Sequence, residues 1–322
     1  MDSFAGKLAV VTGGGSGMGR ELVRQLAAQG CSVAACDISA ETIAETAAMA
    51  REGAPAGVLV TGHTCDVADE AQVVGFRDEV LEQHAADHVD LVFSNAGIGG
   101  AASFVKDSRE AWERTFAVDF WGVYYCARAF LPLLTASGDG ILVNTSSVNG
   151  FWATLGPSVP NHAYSTAKFA VKGFTEALIE DLRTNAPQVR VAVVMPGHVG
   201  TNILLNSLRA QNMLPVSEDM NEAQLEARAR LIGAGMLPED ASADDLGRFY
   251  MQVANDFRDK APLSAADAAT VILDGVRSGA WRVLVGQDAI MLDERIRAKP
   301  ESAYEYQELF GDLRPAPEEQ DS

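Results

Sequence analysis

The sequence predicts a doubly wound α/β fold, in which helices cover both faces of a parallel sheet. Residues 7–13 form a short apolar run rich in β-branched side chains, which is typical of a buried parallel strand. A glycine-rich turn follows at once, and residues 20–29 show the apolar spacing of a helix that Gly30 ends. Strands and helices alternate to about residue 196 without a linker rich in Ser, Gly or Pro. We therefore expect residues 1–322 to form one domain.

The glycine turn is typical of a binding site for a dinucleotide. Gly13, Gly17 and Gly19 let a pyrophosphate approach the backbone closely, and Ser16 and Met18 lie between them. Because a helix begins here, unpaired N–H groups and the positive end of its dipole face the phosphates. A loose surface loop could share the glycine spacing. It would lack the strand before the turn and the helix after it.

An acidic residue ends the second predicted strand, residues 32–37. The Asp37 carboxylate can accept hydrogen bonds from an adenosine ribose, and its charge would repel a 2′-phosphate. No Arg or Lys follows it until Arg51, and the residue before Gly17 is Ser16 rather than a base. These features predict NAD as the cofactor. An ordinary turn or capping role for the aspartate, and an NADP site, are the alternatives.

A tyrosine and a lysine stand four residues apart on a predicted helix. Tyr164 and Lys168 therefore share one face, about 6 Å apart along the axis. A free phenol titrates near 10, and an ammonium beside it favours the phenolate and lowers its pKa. Such a pair can exchange a proton with an alcohol oxygen. The pair alone would suit an amphipathic surface helix equally well, and the motifs upstream favour the catalytic interpretation.

Six motifs, in this order, resemble those of the short-chain dehydrogenase/reductases. The resemblance is close over about residues 5–200 and looser over 262–286. It implies a Rossmann-type parallel sheet of about seven strands and a homodimer or homotetramer. The motifs are Thr12-Gly13-x-x-x-Gly17-x-Gly19, Asp66-Val67, Asn95-Ala96-Gly97, Ser146-Ser147, Tyr164-x-x-x-Lys168 and Pro196-Gly197.

The resemblance also implies a reaction and a role for each matching residue. The reaction is hydride transfer between NAD and a secondary alcohol or ketone. Ser147 would hydrogen-bond the substrate oxygen, Tyr164 would be the acid and base, and Lys168 would bind the nicotinamide ribose and tune Tyr164. The residues implied to bind the cofactor are Gly13, Ser16, Gly17, Met18, Gly19, Asp37, Asp66, Val67, Asn95, Ala96, Gly97, Tyr164, Lys168, Pro196, Gly197, Val199 and Thr201.

Three positions depart from the common pattern of that family. Asp119 stands where an asparagine usually helps to hold a water in a proton relay to the lysine. A carboxylate can also hold water and favour charged Lys168, so we expect activity with an altered pH profile; pairing elsewhere is the alternative. Seventeen residues separate Ser147 from Tyr164, against about thirteen, and the extra residues fall in an aromatic, proline-rich stretch, 151–160, expected to wall the substrate. Ser94 replaces a common asparagine.

Charge and composition limit the partners. A net charge of −19 argues against nucleic acid and anionic membrane surfaces. The sequence has no run of eighteen apolar residues and no signal-peptide pattern at its start. The four cysteines show no CxxC spacing and are predicted to be reduced, buried thiols of a cytoplasmic protein. The five histidines form no ligand set, so no metal is expected.

The pattern changes after Thr201. Residues of about 198–262 are expected to form an inserted lid, apolar at first, with one helix over 223–232 and another after a capping-box pattern at 242–245. A further helix over 264–278 and a last strand over 281–286 should follow. The lid predicts a bulky apolar substrate, such as a steroid, terpenoid or aryl alcohol, although ordinary core packing would explain the same residues.

The C-terminal extension, residues 287–322, is expected to start with a helix and to fray from Pro315 onward. Its apolar residues, among them Tyr304 and Phe310, would either dock on a neighbouring subunit or close the pocket. Two other functions stay open at this point. One is an NADPH-preferring ketone reductase, and the other is a dinucleotide-binding sensor without catalysis, although such a sensor would be expected to lack the Tyr or the Lys.

Overall fold

The protein is built on a seven-stranded parallel sheet. The computed structural model describes residues 1–100, 102–156 and 159–311, so the predicted frayed end from Pro315 and two residues of the 151–160 stretch lie outside the described residues. The strand order is β3-β2-β1-β4-β5-β6-β9. The strands in chain order are β1 (Leu8–Thr12), β2 (Ser32–Asp37), β3 (Val60–Thr64), β4 (Leu91–Ser94), β5 (Gly140–Thr145), β6 (Val189–Pro196), β7 (Val199–Gly200), β8 (Leu263–Ser264) and β9 (Arg282–Val285).

Helices connect the strands and cover the sheet. Short 3-10 turns follow β5 and precede the last helix, and a π-helical turn, Ala117–Trp121, joins two of the helices. The α-helices are α1 (Gly17–Ala28), α2 (Ala40–Gly53), α3 (Glu70–His84), α4 (Arg109–Phe116), α5 (Gly122–Ala136), α6 (His162–Asn185), α7 (Ile203–Ala210), α8 (Glu222–Gly233), α9 (Ala243–Asp259), α10 (Ala265–Ser278), α11 (Gln287–Ala298) and α12 (Tyr306–Phe310).

The sheet is buried on both faces because alternate residues of each strand enter opposite apolar layers. In β1, Ala9 and Val11 pack into the layer that contains apolar residues of α1, α2 and α10. Leu8 and Val10 pack into the layer that contains residues of α3, α5 and α6. The predicted doubly wound α/β sheet of about seven strands is therefore confirmed.

The strand order reverses at β1. Val10 pairs in parallel with Ala34 of β2 on one side and with Val92 of β4 on the other. In open sheets of this kind, ligands bind beyond the carboxyl ends of the strands at such a switch point. The glycine turn follows β1, and the segment starting at Asn95 follows β4. These two segments therefore meet at the place where a ligand is expected.

Most predicted elements outside the glycine turn form as expected. α1 starts at Gly17, three residues earlier than predicted, and Gly30 after it has a φ of 85°, which suits glycine. α8, α10 and β9 match the predictions within about one or two residues. α9 begins with a capping box, in which the side chains of Ser242 and Asp245 each accept a backbone N–H of the other residue.

The two ends of the lid are tied together. Val199 of β7 pairs with Leu263 of β8, so the segment between them leaves and rejoins the body of the protein at neighbouring points. His198, just before β7, also contacts the end of this segment, because its Nε2 lies 2.7 Å from the carbonyl oxygen of Phe257. The sequence pattern predicted the insertion but not this small second sheet.

Burial agrees with the expectation for the cysteines. All four of them are buried: Cys31, Cys36, Cys65 and Cys126. Burial raises the pKa of the Cys31 thiol to about 12, so this thiol stays protonated at neutral pH. Among the described residues, no helix is both long and apolar enough to cross a bilayer.

Candidate active site

A cleft of about 410 Å³ lies beyond the carboxyl ends of the central strands. Ser147, Tyr164 and Lys168 all line it, so the three predicted catalytic groups converge. The predicted cofactor residues that line the same cleft are Met18, Asn95, Gly97, Pro196, Gly197, Val199 and Thr201. The other predicted cofactor residues do not line this cleft, and they follow the neighbouring strands β1 to β4: Gly13, Ser16, Gly17, Gly19, Asp37, Asp66, Val67 and Ala96.

The predicted catalytic tyrosine and lysine lie in the first two turns of α6. The Lys168 ammonium sits over the ring of Tyr164, 5.4 Å from its centroid. Ser147 follows β5 and caps a short 3-10 turn by accepting the N–H of Asn149 at 3.1 Å. Its hydroxyl also lowers the pKa of the Tyr164 phenol, although burial raises that pKa more. Ser147 thus caps this turn and lines the cleft together with the tyrosine.

Lys168 is a buried cation held by two other elements of the fold. Its side chain is 3% exposed, and Nζ donates to the carbonyl oxygen of Thr145 at the end of β5, 3.3 Å away. The carboxylate Oδ1 of Asp119 lies 3.5 Å from the same nitrogen. A buried ammonium requires such partners because the cost of removing it from water is several kcal/mol.

Asp119 reaches the lysine because the helix widens locally. It stands in the π turn between α4 and α5, a distortion that often marks a functional position. Oδ1 also accepts the N–H of Ile98 at 2.9 Å, whereas Oδ2 is buried without a hydrogen-bond partner among the described residues. A Cβ at Gly97 would lie 2.8 Å from Oδ1 and 3.1 Å from Lys168 Nζ, so the pair needs glycine there.

Burial dominates the acid–base properties of this cluster. It raises the pKa of Asp119 to about 6, although Lys168 opposes the shift. Burial also raises the pKa of Tyr164, while Lys168 and Ser147 lower it and the Asp119 charge raises it. The sequence interpretation considered only the lysine and expected a lowered value. It was incomplete, because it could not include the desolvation of a phenol within the cleft wall.

The glycine turn offers unpaired donors, as an anion site requires. Ser16 begins α1 without a capping hydrogen bond from its side chain, and the first turn holds no acidic residue. The helices α2, α3 and α4, in contrast, are each capped by a side chain. Gly17 has a φ of 54°, and a Cβ at Gly13 would lie 2.7 Å from the Cα of Ala96. The turn therefore fits the pyrophosphate of a dinucleotide.

Thr12, which sequence reasoning used only as part of a motif, joins the two loops at the switch point. Its Oγ1 accepts the backbone N–H groups of Asn95 at 3.0 Å and Ala96 at 3.1 Å. Asn95 Nδ2 in turn donates to the Thr12 carbonyl at 3.2 Å. The buried Oδ1 of Asn95 has no partner among the described residues, which leaves one acceptor at the cleft.

Asp37 supports the glycine turn directly. One carboxylate oxygen accepts the N–H of Gly15 at 3.0 Å, and the other accepts that of Ser39 at 3.0 Å. A nearby base that the sequence pattern did not reveal is Arg20, which donates to the Gly15 carbonyl at 2.7 Å and forms an ion pair with Glu45. The Arg20 guanidinium is thus already paired within the protein.

Asp66 and Val67 follow β3, which is the strand at one edge of the sheet. One Asp66 oxygen accepts the N–H of Ala68 at 3.0 Å, and the other lies 3.4 Å from Arg114. Val67 is buried, and a Cβ at Gly122 would meet its side chain at 2.8 Å. Both residues thus occupy the edge where an adenine would lie if the cofactor follows the strand ends.

Comparison with known proteins agrees with this geometry. The family model for the short chain dehydrogenase matches residues 7–212, which is more than half of the chain. The chain belongs to the short-chain dehydrogenases. It is an oxidoreductase of that family, whose members bind NAD or NADP.

Two relatives and one solved structure illustrate the similarity. The putative oxidoreductase SadH of Mycobacterium tuberculosis is 39% identical over 207 residues, covering 64% of this chain and 72% of that protein. Meso-2,3-butanediol dehydrogenase of Serratia marcescens is 33% identical over 200 residues, covering 62% and 74%. A Burkholderia phymatum short-chain dehydrogenase/reductase solved in complex with NAD is 28% identical, with a TM-score of 0.69 over 100% of both chains.

The outer wall of this dehydrogenase's cleft comes from parts of the chain beyond the catalytic motifs. Trp152 and Leu155 belong to the stretch that the sequence predicted as an apolar wall. The lid contributes an apolar face, and the C-terminal extension lines another side, which favours the pocket-closing role over docking on a neighbouring subunit. The apolar residues of the lid and of the extension that line the cleft are Ile203, Leu204, Phe257, Met291, Leu292 and Phe310.

Replacing Asp119 by asparagine should change the pH dependence of this short-chain dehydrogenase more than its maximal rate. Above about pH 6 the native carboxylate is ionised and raises the pKa of Tyr164, so removing its charge favours the phenolate. In Asp119→Asn, the rise of kcat with pH in alcohol oxidation, which follows deprotonation of Tyr164, should move to lower pH. Below about pH 6 the two enzymes should converge, because Asp119 is then protonated. The measurement is kcat against pH from 5 to 10.

The control for this prediction is Asp139→Asn, at an exposed aspartate that pairs with Arg190 on the surface. Its profile should match that of the native enzyme, because surface pairs contribute little. An Asp119→Asn profile that matches the native one in rate and in pH dependence would exclude any electrostatic role of Asp119.

Proposed function

We propose that this short-chain dehydrogenase transfers hydride between NAD and a secondary alcohol or ketone that carries a large apolar group. One observation carries the proposal. Ser147, Tyr164 and Lys168 share a cleft with the residues that follow the glycine turn and β6. A phenol, a hydroxyl and a buried ammonium beside a dinucleotide site are the groups that proton transfer coupled to hydride transfer requires.

The residues of the chain then have distinct tasks in alcohol oxidation. When bound, NAD supplies the hydride acceptor. The Tyr164 phenolate takes the hydroxyl proton, and Ser147 donates a hydrogen bond to the oxygen as its charge develops. The Lys168 ammonium, over the Tyr164 ring, stabilises the phenolate. In ketone reduction the same groups act in reverse, with Tyr164 giving its proton to the oxygen.

Proton exchange with solvent is proposed to pass through the buried cluster behind the tyrosine. The Thr145 carbonyl oxygen and Asp119 Oδ1 lie 3.3 Å and 3.5 Å from Lys168 Nζ, and Asp119 Oδ2 has no hydrogen-bond partner among the described residues. A buried polar atom of this kind is normally satisfied by a water. We therefore propose that Asp119 takes the place of the family's asparagine in holding a relay water.

The preference for NAD over NADP rests on charge. Asp37 is a carboxylate at the tip of β2, where a 2′-phosphate would be repelled. Arg20 pairs with Glu45, and Arg51, the first base after Asp37 in the sequence, donates to the Val60 carbonyl at 2.7 Å. Neither base is therefore placed to compensate a phosphate.

The apolar cleft wall supports a bulky substrate. Phe310 and Trp152 contact each other with ring centroids 5.7 Å apart, and Trp152 Nε1 donates to the Ala303 carbonyl at 2.7 Å. The extension is thus held against the cleft by a buried hydrogen bond and an apolar cluster that includes Leu292 and Leu309. Burying an apolar group of the substrate here would contribute about 25 cal/mol per Å².

A homodimer or homotetramer is proposed to form through α5 and α6. Trp121 is 42% exposed and Phe169 is 41% exposed, although both are large apolar residues. Trp121 packs edge-on against Tyr124 of α5. Exposed aromatic residues grouped in this way favour an interface between subunits.

Tyr164→Phe should abolish turnover and leave dinucleotide binding intact, because only the phenolic oxygen is removed. The loss of a general acid–base group lowers kcat by about 10²–10⁴-fold. Steady-state assays measure kcat, and quenching of protein fluorescence measures NAD affinity. Tyr124→Phe, outside the cleft, should behave as the native enzyme. Undiminished turnover by Tyr164→Phe would refute the acid–base role.

Asp37→Asn should weaken the preference for NAD, because the amide removes the charge and keeps one acceptor for the glycine turn. The ratio of kcat/KM for NAD to that for NADP should fall roughly tenfold or more, equivalent to about 1.4 kcal/mol. Since turn damage would affect both cofactors alike, the ratio isolates the charge. Asp78→Asn, on the surface of α3, is the control. A native enzyme that prefers NADP would contradict the assignment.

Phe310→Ala should reduce selectivity for bulky substrates, because the extension would lose a side chain that lines the cleft. We expect kcat/KM for an aryl secondary alcohol to fall about tenfold relative to that for 2-butanol, since a buried aromatic contact is worth roughly 1.5–3 kcal/mol. A screen of aliphatic, aryl, terpenoid and steroid alcohols by NADH fluorescence supplies the substrates. Val216→Ala, at a lid residue that is 99% exposed, is the control. Equal effects on small and large alcohols would contradict the proposed wall.

A further inference from the structure

The polar side chains of the cleft's outer wall are mostly engaged by the protein itself. Asn149 Nδ2 donates to the carbonyls of Trp152 and Thr154, both at 2.8 Å. Ser207 Oγ accepts the N–H of Gly99 at 2.7 Å and donates to the Ile203 carbonyl. These groups hold the wall in shape and have little capacity left for a substrate.

Asp288 differs from these groups. It is the second residue of α11 and lines the cleft together with Tyr164 and Ser147. Its Oδ2 accepts the backbone N–H of His198 at 2.6 Å, while its Oδ1 is buried without a hydrogen-bond partner among the described residues. An ionised carboxylate offers about four acceptor positions. Most of the acceptor capacity of this side chain is therefore unused.

The surrounding backbone is built to admit this carboxylate. A Cβ at Gly197 would lie 2.3 Å from Oδ2 and 2.4 Å from Oδ1, and a Cβ at Gly286 would lie 2.5 Å from Oδ1. Such approaches exclude any side chain at both positions. Gly197 belongs to the Pro-Gly motif after β6, which also lines the cleft. The carboxylate thus lies directly against the segment that forms the cleft wall beside the catalytic residues.

The charge of Asp288 needs no cation. α11 begins at Gln287 after Gly286, and no side chain caps this end, so its N-terminal dipole stabilises an anion in the first turn. The N–H of His198 adds a further donor. No ion pair to Asp288 occurs among the described residues. The site therefore suits a neutral donor, and a hydroxyl loses far less than an ammonium when it leaves water.

We propose that Asp288 is a specificity-determining residue that accepts a hydrogen bond from a second hydroxyl group of the substrate. The preferred substrates are then alcohols with an apolar body and one further hydroxyl, or the corresponding hydroxy ketones. The inference rests on the proposed alcohol dehydrogenase function and adds a polar contact to it. A site built around an acceptor discriminates against an analogue that lacks the donor, because the acceptor is left unpaired.

The test compares matched substrates in the native enzyme, Asp288→Asn and Asp288→Leu. The substrates are aryl secondary alcohols with and without a second hydroxyl one to five carbons from the reacting carbon, beginning with 1-phenylethane-1,2-diol and 1-phenylethanol. The native enzyme should prefer the hydroxylated member of at least one pair. Asp288→Leu should lower kcat/KM for that member about 10–100-fold and change the other less than about threefold. Asp288→Asn keeps an acceptor for the His198 N–H. Its kcat/KM should fall less than that of Asp288→Leu, and the fall should again be confined to the hydroxylated member of the pair.

Two controls separate recognition from structure. Asp267→Asn changes an exposed aspartate in the first turn of α10, away from the cleft, and should alter neither substrate. NAD affinity, measured by fluorescence quenching without substrate, should be the same in the native and Asp288 variants. Equal losses on both members of every pair would show that Asp288 only positions the Gly197–His198 backbone, and would overturn the proposal.

Other outcomes also decide the question. A loss of NAD affinity in the Asp288 variants would assign the carboxylate to the cofactor, and a preference for an amino analogue over the hydroxylated member would assign it to a cation. Either result would overturn the proposal. Turnover of the panel without any preference that depends on Asp288 would refute this inference alone. A native enzyme inactive on every alcohol with both cofactors would refute the proposed function as well.

Discussion

The buried ammonium of Lys168 is the constraint on which the catalytic end of the molecule depends. Three elements meet at it: α6 carries it, β5 ends at the Thr145 carbonyl that accepts from it, and the π turn brings in Asp119. A cation that is nearly inaccessible to water is stable only while those partners stay in place. The position of Tyr164, one turn away on the same helix, is fixed by the same contacts.

Local physics explains why the nucleotide half of the site could be recognised from the sequence. A buried strand, a turn that needs glycine and a helix start are all short-range patterns, and the structure places Gly13 and Gly17 where side chains would collide or φ is positive. The convergence of Ser147, Tyr164 and Lys168 was predicted only through the family resemblance. The doubly wound sheet then accounts for it, since parallel strands end at one edge.

The features of the site that the sequence did not predict depend on contacts between residues that are far apart in the chain. The π turn at Asp119 leaves no signature in residue spacing, and the direction of the Tyr164 pKa shift depends on how completely its surroundings exclude water. Asp288 lies 90 residues beyond the His198 N–H that it accepts. Without the fold it is an ordinary acidic residue in the first turn of a helix. For Phe310 the sequence left two roles open, and its packing on Trp152 places it at the cleft.

The pairing of β7 with β8 has a consequence for how freely the segment between these strands can change in length. Because Val199 and Leu263 are neighbours, the roughly sixty residues between them form a closed loop whose anchor points do not move when its interior changes. Each doubling of such a loop costs only about 0.6 kcal/mol in closure entropy. We therefore expect insertions and deletions within this segment to be tolerated thermodynamically without displacing the residues at the carboxyl ends of the central strands.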